Sequence, residues 1–125
     1  MPGRLEKPLR EALPVGAVVV FENRIIGRGH NQVETLQDPT AHAEMIAITA
    51  ATNALENKWL NDASLYVTVE PCSMCAGAMV LARLKQVIYG IQELKTGAHS
   101  SLFNLLNDPR LNHQIEVVPG ILQKE

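Results

Sequence analysis

Two rhythms of apolar and polar residues alternate along this chain. Val15-Gly16-Ala17-Val18-Val19-Val20-Phe21 is an unbroken, largely β-branched run, and Ile25-Ile26-Gly27-Arg28-Gly29-His30 follows it after the polar turn Glu22-Asn23-Arg24. This predicts two strands of a hairpin. A loop of turn-forming residues runs from Asn31 to Asp38-Pro39. Over residues 41–53 the period changes: Ala43, Ile46, Ala47 and Ala50 recur at helical spacing, with Thr40 placed as the N-cap. Beyond a polar connection containing Trp59, Ser64-Leu65-Tyr66-Val67-Thr68-Val69 predicts a third strand, and Pro71 opens a second helix reaching about residue 84. Gln86-Val87-Ile88-Tyr89-Gly90 predicts a fourth strand, and a short helix at 102–106 and a strand at 114–118 complete the series.

Helix after strand after helix after strand is an α/β pattern, with parallel pairing expected between the third and fourth strands. The chain's 125 residues, 46% hydrophobic and 19% charged, suit one domain with one core and exclude a disordered or fibrous reading. No apolar stretch approaches the ~18 residues of a membrane helix, and Met1-Pro2-Gly3-Arg4-Leu5-Glu6-Lys7-Pro8 lacks the apolar segment of a signal peptide. A cytoplasmic protein without membrane association is the expectation. The two cysteines, three apart, offer no disulfide framework. A formal charge of −2 excludes a broad basic surface that grips nucleic acid but leaves room for a local RNA contact. Arg83, Lys85, Lys95 and Arg110 cluster late in the chain, where only Glu93 and Asp108 oppose them before the tail; a solvated rim is the plainer reading.

The candidate chemistry lies in His42-Ala43-Glu44 and Pro71-Cys72-Ser73-Met74-Cys75. Alone, each is ambiguous: His-x-Glu is a weak signal, and Cys-x-x-Cys serves redox pairs and structural zinc knuckles alike. Together they sit at two predicted helix starts that can face each other across one pocket, and a helix N-terminus favours thiolate over thiol. His42, Cys72 and Cys75 supply one imidazole and two thiolates, which leaves a tetrahedral metal one corner for water, as in a catalytic zinc site. That donor set favours zinc over harder cations. Glu44, on the same first turn as His42, can reach the water without binding the metal and shuttle its proton; the alternative is an acid that only favours the helix dipole. Asn31 reads equally as a turn former or a polar contact. His30 and His99 lack partner spacing, Met45, Met74 and Met79 indicate packing, and Trp59 belongs to the core or an edge.

His42-x-Glu44 with Pro71-Cys72-x-x-Cys75 resembles the signature of the zinc nucleobase deaminases. The flanking text narrows this. Asp38-Pro39-Thr40-Ala41-His42-Ala43-Glu44, the stretch from Leu65 through Glu70-Pro71-Cys72 to Met79, Lys95-Thr96-Gly97-Ala98, Asn112-His113-Gln114-Ile115-Glu116-Val117 and Gly120-Ile121-Leu122 are similar to the bacterial tRNA-specific adenosine deaminases, within the cytidine/deoxycytidylate deaminase superfamily. The likeness runs from about residue 13 to 122. It implies a three-layer α/β/α cytidine-deaminase-like fold with a mixed, about five-stranded central sheet, forming one deaminase domain over residues 1–125.

The same resemblance implies hydrolysis of adenosine to inosine at the wobble position of a tRNA anticodon loop, with one Zn2+ per subunit on His42, Cys72 and Cys75 and with Glu44 as the proton shuttle. Asn31 would hydrogen-bond the purine, with the Ala43 backbone as a further contact. Lys95, Thr96 and Gly97 match an RNA-facing rim, Glu93 is placed to meet a ribose hydroxyl, and Asn112-His113 matches a pair near the anticodon loop, a polar turn being the alternative. A homodimer is implied, with Met79 and Leu81 as interface candidates. Relatives carry a longer first helix and a further C-terminal helix; here the head is short, with Pro8 admissible only in a first turn, and the last helix is expected to be absent. Two other functions are open: a free-base or nucleoside deaminase acting on guanine or cytosine, and a non-catalytic zinc and RNA-binding subunit, against which the presence of Glu44 stands.

Overall fold

Alternating burial converts the first apolar run into a strand whose two faces both lie inside the protein: Ala17 and Val19 point one way, Val18 the other, and all three are buried. The structure, a computed structural model, describes residues 16–91 and 104–119. Within them β1 (Ala17–Phe21) and β2 (Arg24–Gly29) form the expected hairpin, then come α1 (Val33–Leu36), α2 (Ala43–Leu55), β3 (Ser64–Val69), α3 (Ser73–Leu81), β4 (Gln86–Ile91) and β5 (Glu116–Val118). The sheet order is β2-β1-β3-β4-β5. β1 runs antiparallel to β2 and β3, whereas β3–β4 and β4–β5 are parallel, which makes the sheet mixed as expected.

Local chemistry explains the hairpin. Glu22 and Asn23 both have positive φ, 51° and 65°, the type I′ pattern that matches the twist of paired strands and that Asn tolerates well. Arg24 joins β2 rather than the turn. An extra residue at the Val19/Val20 step bulges β2, so that Val20 pairs with Ile25 but Val19 pairs with Gly27.

Both longer helices pack on one face of the sheet. Val19, Leu65, Val67, Val87 and Tyr89 meet α2 through Ala47, Ile48 and Ala51 and α3 through Cys75, Ala76 and Met79. Val18, Tyr66 and Ile88 form the core of the opposite face. The expected N-terminal helix falls outside the described residues.

Helix limits differ from expectation for identifiable reasons. His42, not Thr40, is the N-cap of α2. The amide N–H and the hydroxyl of Thr40 both donate to Asp38 Oδ1, at 2.9 and 2.8 Å, and those bonds hold the Asp38 carboxyl below its usual range. A bond from Gln32 N to Ala41 O at 2.9 Å closes this loop and delays the helix. Cys72, after Pro71, caps α3, and α3 stops at Leu81 because Arg83 turns left-handed (φ 58°) and lets Leu84 drop into the core. Residues 104–106 are not helical, and the rest of the short helix expected at 102–106 lies outside the described residues. The last strand is shorter than expected.

Met79 is corrected as an interface candidate: it is fully buried in its own core, whereas Leu81 is 79% exposed. Trp59 lies at an edge, with Lys58 Nζ 4.8 Å and the Arg83 guanidinium 5.0 Å from its ring centre. No helix among the described residues is long and apolar enough to cross a membrane.

Candidate metal centre and active site

Two helix starts meet beyond the C-terminal end of β3. His42 and Cys72 occupy the N-cap positions of α2 and α3 with extended backbones (ψ 153° and 175°), and neither side chain caps its own helix. Their side chains turn towards each other. His42 Nδ1 lies 3.6 Å from Cys72 Sγ and 3.5 Å from Cys75 Sγ, and the three donor atoms fall within 4.8 Å of one another. Zinc–nitrogen and zinc–sulfur bonds of about 2.0 and 2.3 Å at the tetrahedral angle require nitrogen and sulfur about 3.5 Å apart. Both nitrogen–sulfur separations therefore suit a tetrahedral zinc, and Nδ1 is the ring nitrogen that faces the two sulfurs.

Electrostatics agree with the geometry. Burial, reinforced by the neighbouring Glu44 and Cys72, pushes the Cys75 thiol far up, so a thiolate at this position calls for a cation beside it. Glu44 stands on the first turn of α2, only 9% exposed, and is not a member of the donor cluster. Burial raises its carboxyl above the usual range; its own backbone amide, His42 and Cys75 oppose that shift. A carboxyl whose proton affinity is raised in this way is suited to accept a proton and pass it on.

A cavity of about 320 Å³ opens on these groups and gathers Asn31, His42, Ala43, Glu44 and Cys72, five of the residues singled out from sequence. Asn31 sits exposed at the rim, where its Oδ1 accepts the Val33 amide at 2.9 Å and starts α1. Glu70, 3% exposed, adds a second carboxylate to the wall. Its signal in the sequence is only an acid set between a strand end and Pro71-Cys72. Gly16 also lines the cavity, and neither residue was singled out from sequence. Glu93, Lys95, Thr96 and Gly97 lie outside the described residues.

His113 is not brought to this cavity. Its Nε2 bonds the Leu84 carbonyl at 2.7 Å, just ahead of β4, whereas the cavity lies past the other end of the parallel β3–β4 pair, roughly 16 Å along the strand. Replacing His113 by Ala is expected to lower stability by about 1–2 kcal/mol by orphaning that carbonyl, a loss visible as a lower Tm, while kcat stays unchanged.

Comparison with known proteins places this arrangement. A sequence model of the MafB19-like deaminases matches residues 8–124. The chain is similar to the tRNA-specific adenosine deaminase of Bacillus subtilis (strain 168), 50% identical over 113 residues that cover 90% of this chain and 70% of that protein. It is similar to a solved structure from biochemical and structural studies of A-to-I editing by tRNA:A34 deaminases at the wobble position of transfer RNA: the TM-score is 0.83 and the identity 40%, over 94% of this chain and 91% of that one. It is also similar to the X-ray structure of guanine deaminase from Bacillus subtilis, with a TM-score of 0.62 and 41% identity over 73% of this chain and 62% of that one.

Proposed function

The chain belongs to the MafB19-like deaminase family, and from that premise we propose that it hydrolyses adenosine to inosine at the wobble position of a tRNA anticodon, releasing ammonia, with one zinc ion per subunit on His42, Cys72 and Cys75. The observation that carries this reading is the His42, Cys72 and Cys75 cluster at the wall of one small cavity, with a buried carboxyl, Glu44, on the same wall but outside that cluster. Zinc supplies a water activated for attack near neutral pH.

The chain's own residues do the rest. A Glu44 carboxylate oxygen accepts the proton of the attacking water and delivers it to ring nitrogen 1; the same group then takes the proton of the new C6 hydroxyl and gives it to the amine, so that the C6–N bond breaks, ammonia leaves and the C6 carbonyl forms. Burial suits Glu44 to this double duty, because it narrows the free-energy gap between the protonated and ionised forms. Asn31 commits Oδ1 to the α1 turn, so its amide N–H₂ is the part that donates to a purine ring nitrogen. The Ala43 N–H belongs to a first helical turn, where amides lack intrahelical partners, and offers a second contact. A cavity of this size takes one nucleoside and not a base pair, which calls for a flipped-out or single-stranded base.

Guanine deamination is the second reading, favoured by the likeness to the guanine deaminase over 73% of the chain. The tRNA reading rests on similarity over more of the chain at higher structural agreement. Cytoplasmic residence fits a tRNA substrate. A homodimer is supported by the apolar groove along α3, lined by Met74, Val80 and Leu81 with Met45 of α2 and Leu105 and Leu111 of the later segment.

The test is an anticodon stem-loop carrying adenosine at the wobble position, assayed for inosine beside free guanine, cytosine and adenosine assayed for ammonia. Inosine in the RNA with negligible release from the free compounds is expected. Guanine turnover without RNA turnover moves the assignment to the second reading.

A further inference from the structure

We propose that Gly16 and Gly29 are positioning residues for the reaction: they form a seat with no room for a Cβ that fixes the first turn of α2, and with it His42 and Glu44. The catalytic half of this proposal rests on the deaminase reading above; the geometric half stands without it.

The reacting groups ride on two separate helices. His42 and Glu44 flank Ala43 at the start of α2, whereas Cys72 and Cys75 belong to α3. The two helices touch each other little, and α2 leans chiefly on β2 and then on β1. The imidazole is therefore held at 3.5–3.6 Å from the two sulfurs mainly through the sheet, by the way α2 sits on its strands.

That seat is unusually close. A Cβ on Gly29 would run into the Ala43 carbonyl oxygen and stand 2.8 Å from Ala47 N, closer than side chains pack. Beside it a Cβ on Gly16 would stand 2.8 Å from Ala43 Cβ, and the Gly16 backbone, at φ +99°, is one that L-residues with side chains rarely adopt. Ala43, the residue between His42 and Glu44, thus rests directly on Gly29, at the end of β2, and on Gly16, just ahead of β1. Gly27 repeats the contact further along, under Ala47 and Ala51, away from the cavity. A methyl group at Gly16 or Gly29 must lift the first turn; one at Gly27 lifts the helix body. Displacement of reacting groups by about 1 Å costs roughly 10²-fold in rate.

The experiment compares G16A, G29A, G27A, A43G, G16A/A43G and G29A/A43G. Readouts are kcat and KM on the stem-loop, Tm, and the thiolate-to-cobalt and d–d absorption bands on titration of the metal-free proteins with Co2+. G16A and G29A are expected to lower kcat by about 10²-fold, to raise KM as well because the Ala43 N–H moves with the turn, and to weaken and distort the cobalt bands. G27A is expected to lose as much Tm as G29A with less than about a tenfold loss of kcat.

Adding A43G removes the Cβ that opposes position 16, so G16A/A43G recovers kcat and the cobalt bands to the level of A43G alone. Its Tm stays low because the backbone strain remains. The same addition does nothing for G29A, whose obstruction is backbone. Losses of kcat that simply track Tm across G27A and G29A, or a G16A/A43G no better than G16A, overturn the proposal. Should G29A fail to fold, the position-16 pair decides alone. A wild-type chain inactive on the stem-loop defeats the deaminase reading, and the cobalt comparison then still decides the seat.

Discussion

Glu44→Gln is expected to lower kcat for inosine formation by about 10⁴-fold, or about 5 kcal/mol of transition-state stabilisation, while zinc content stays at one ion per subunit. The two halves of that result have separate causes. Glutamine keeps the shape and polarity of the side chain but cannot accept the water's proton or return it, and the proposed chemistry uses the same carboxyl for every transfer. Zinc stays because Glu44 lies outside the donor cluster of His42, Cys72 and Cys75. KM should change little, since binding a base at the rim calls on Asn31 and the Ala43 backbone. Single-turnover measurement of inosine, with metal analysis of the same sample, checks both halves. Residual activity within about tenfold of wild type would mean that another group moves the proton, and Glu70, the second buried carboxylate of the wall, would be the first to substitute.

Element types were legible in the sequence where local pattern and burial agree. β1, β3 and β4 alternate between two buried faces, so their continuous apolar runs announced strands covered on both sides. Helix ends were less legible, because they depend on bonds between residues apart in sequence, such as Gln32 to Ala41 before α2, and on a single left-handed residue, Arg83, after α3. The donor set could be read because Cys-x-x-Cys and His-x-Glu each restrict the chemistry, and their conjunction restricts it further. That Nδ1 is the nitrogen facing the two sulfurs could not be read, since it depends on how the helix starts meet. His113 shows the same limit on a larger scale: its motif suggested the site, yet the register of β4 and β5 delivers it to the other end of the sheet. Glu70 was hidden by adjacency to a stronger motif, and Gly16 and Gly29 because their importance lies in what they touch.

Cys75→Ala is expected to abolish zinc binding and activity together, and to make the protein's thermal stability indifferent to chelators. Two contributions of Cys75 must be separated, for it is fully buried in the core beside Ala76 and Met79 as well as being a proposed metal donor. Losing its sulfur from the core alone should cost about 1–2 kcal/mol. Losing the metal costs more: zinc at a thousandfold excess over its dissociation constant stabilises the folded state by about 4 kcal/mol, or roughly 10–15 °C in Tm for a chain of this length. Chelation of the wild-type protein should therefore lower Tm by roughly that amount. Cys75→Ala should start below the chelated wild type by only a few degrees and show no further fall when the chelator is added. Cys72→Ala, at a half-buried position that contributes less packing, should lose the same chelator response with a smaller penalty of its own. A Cys75→Ala protein whose Tm still drops on chelation by as much as the wild type's would show that the stabilising metal sits elsewhere, and the donor set assigned to His42, Cys72 and Cys75 would fail with it.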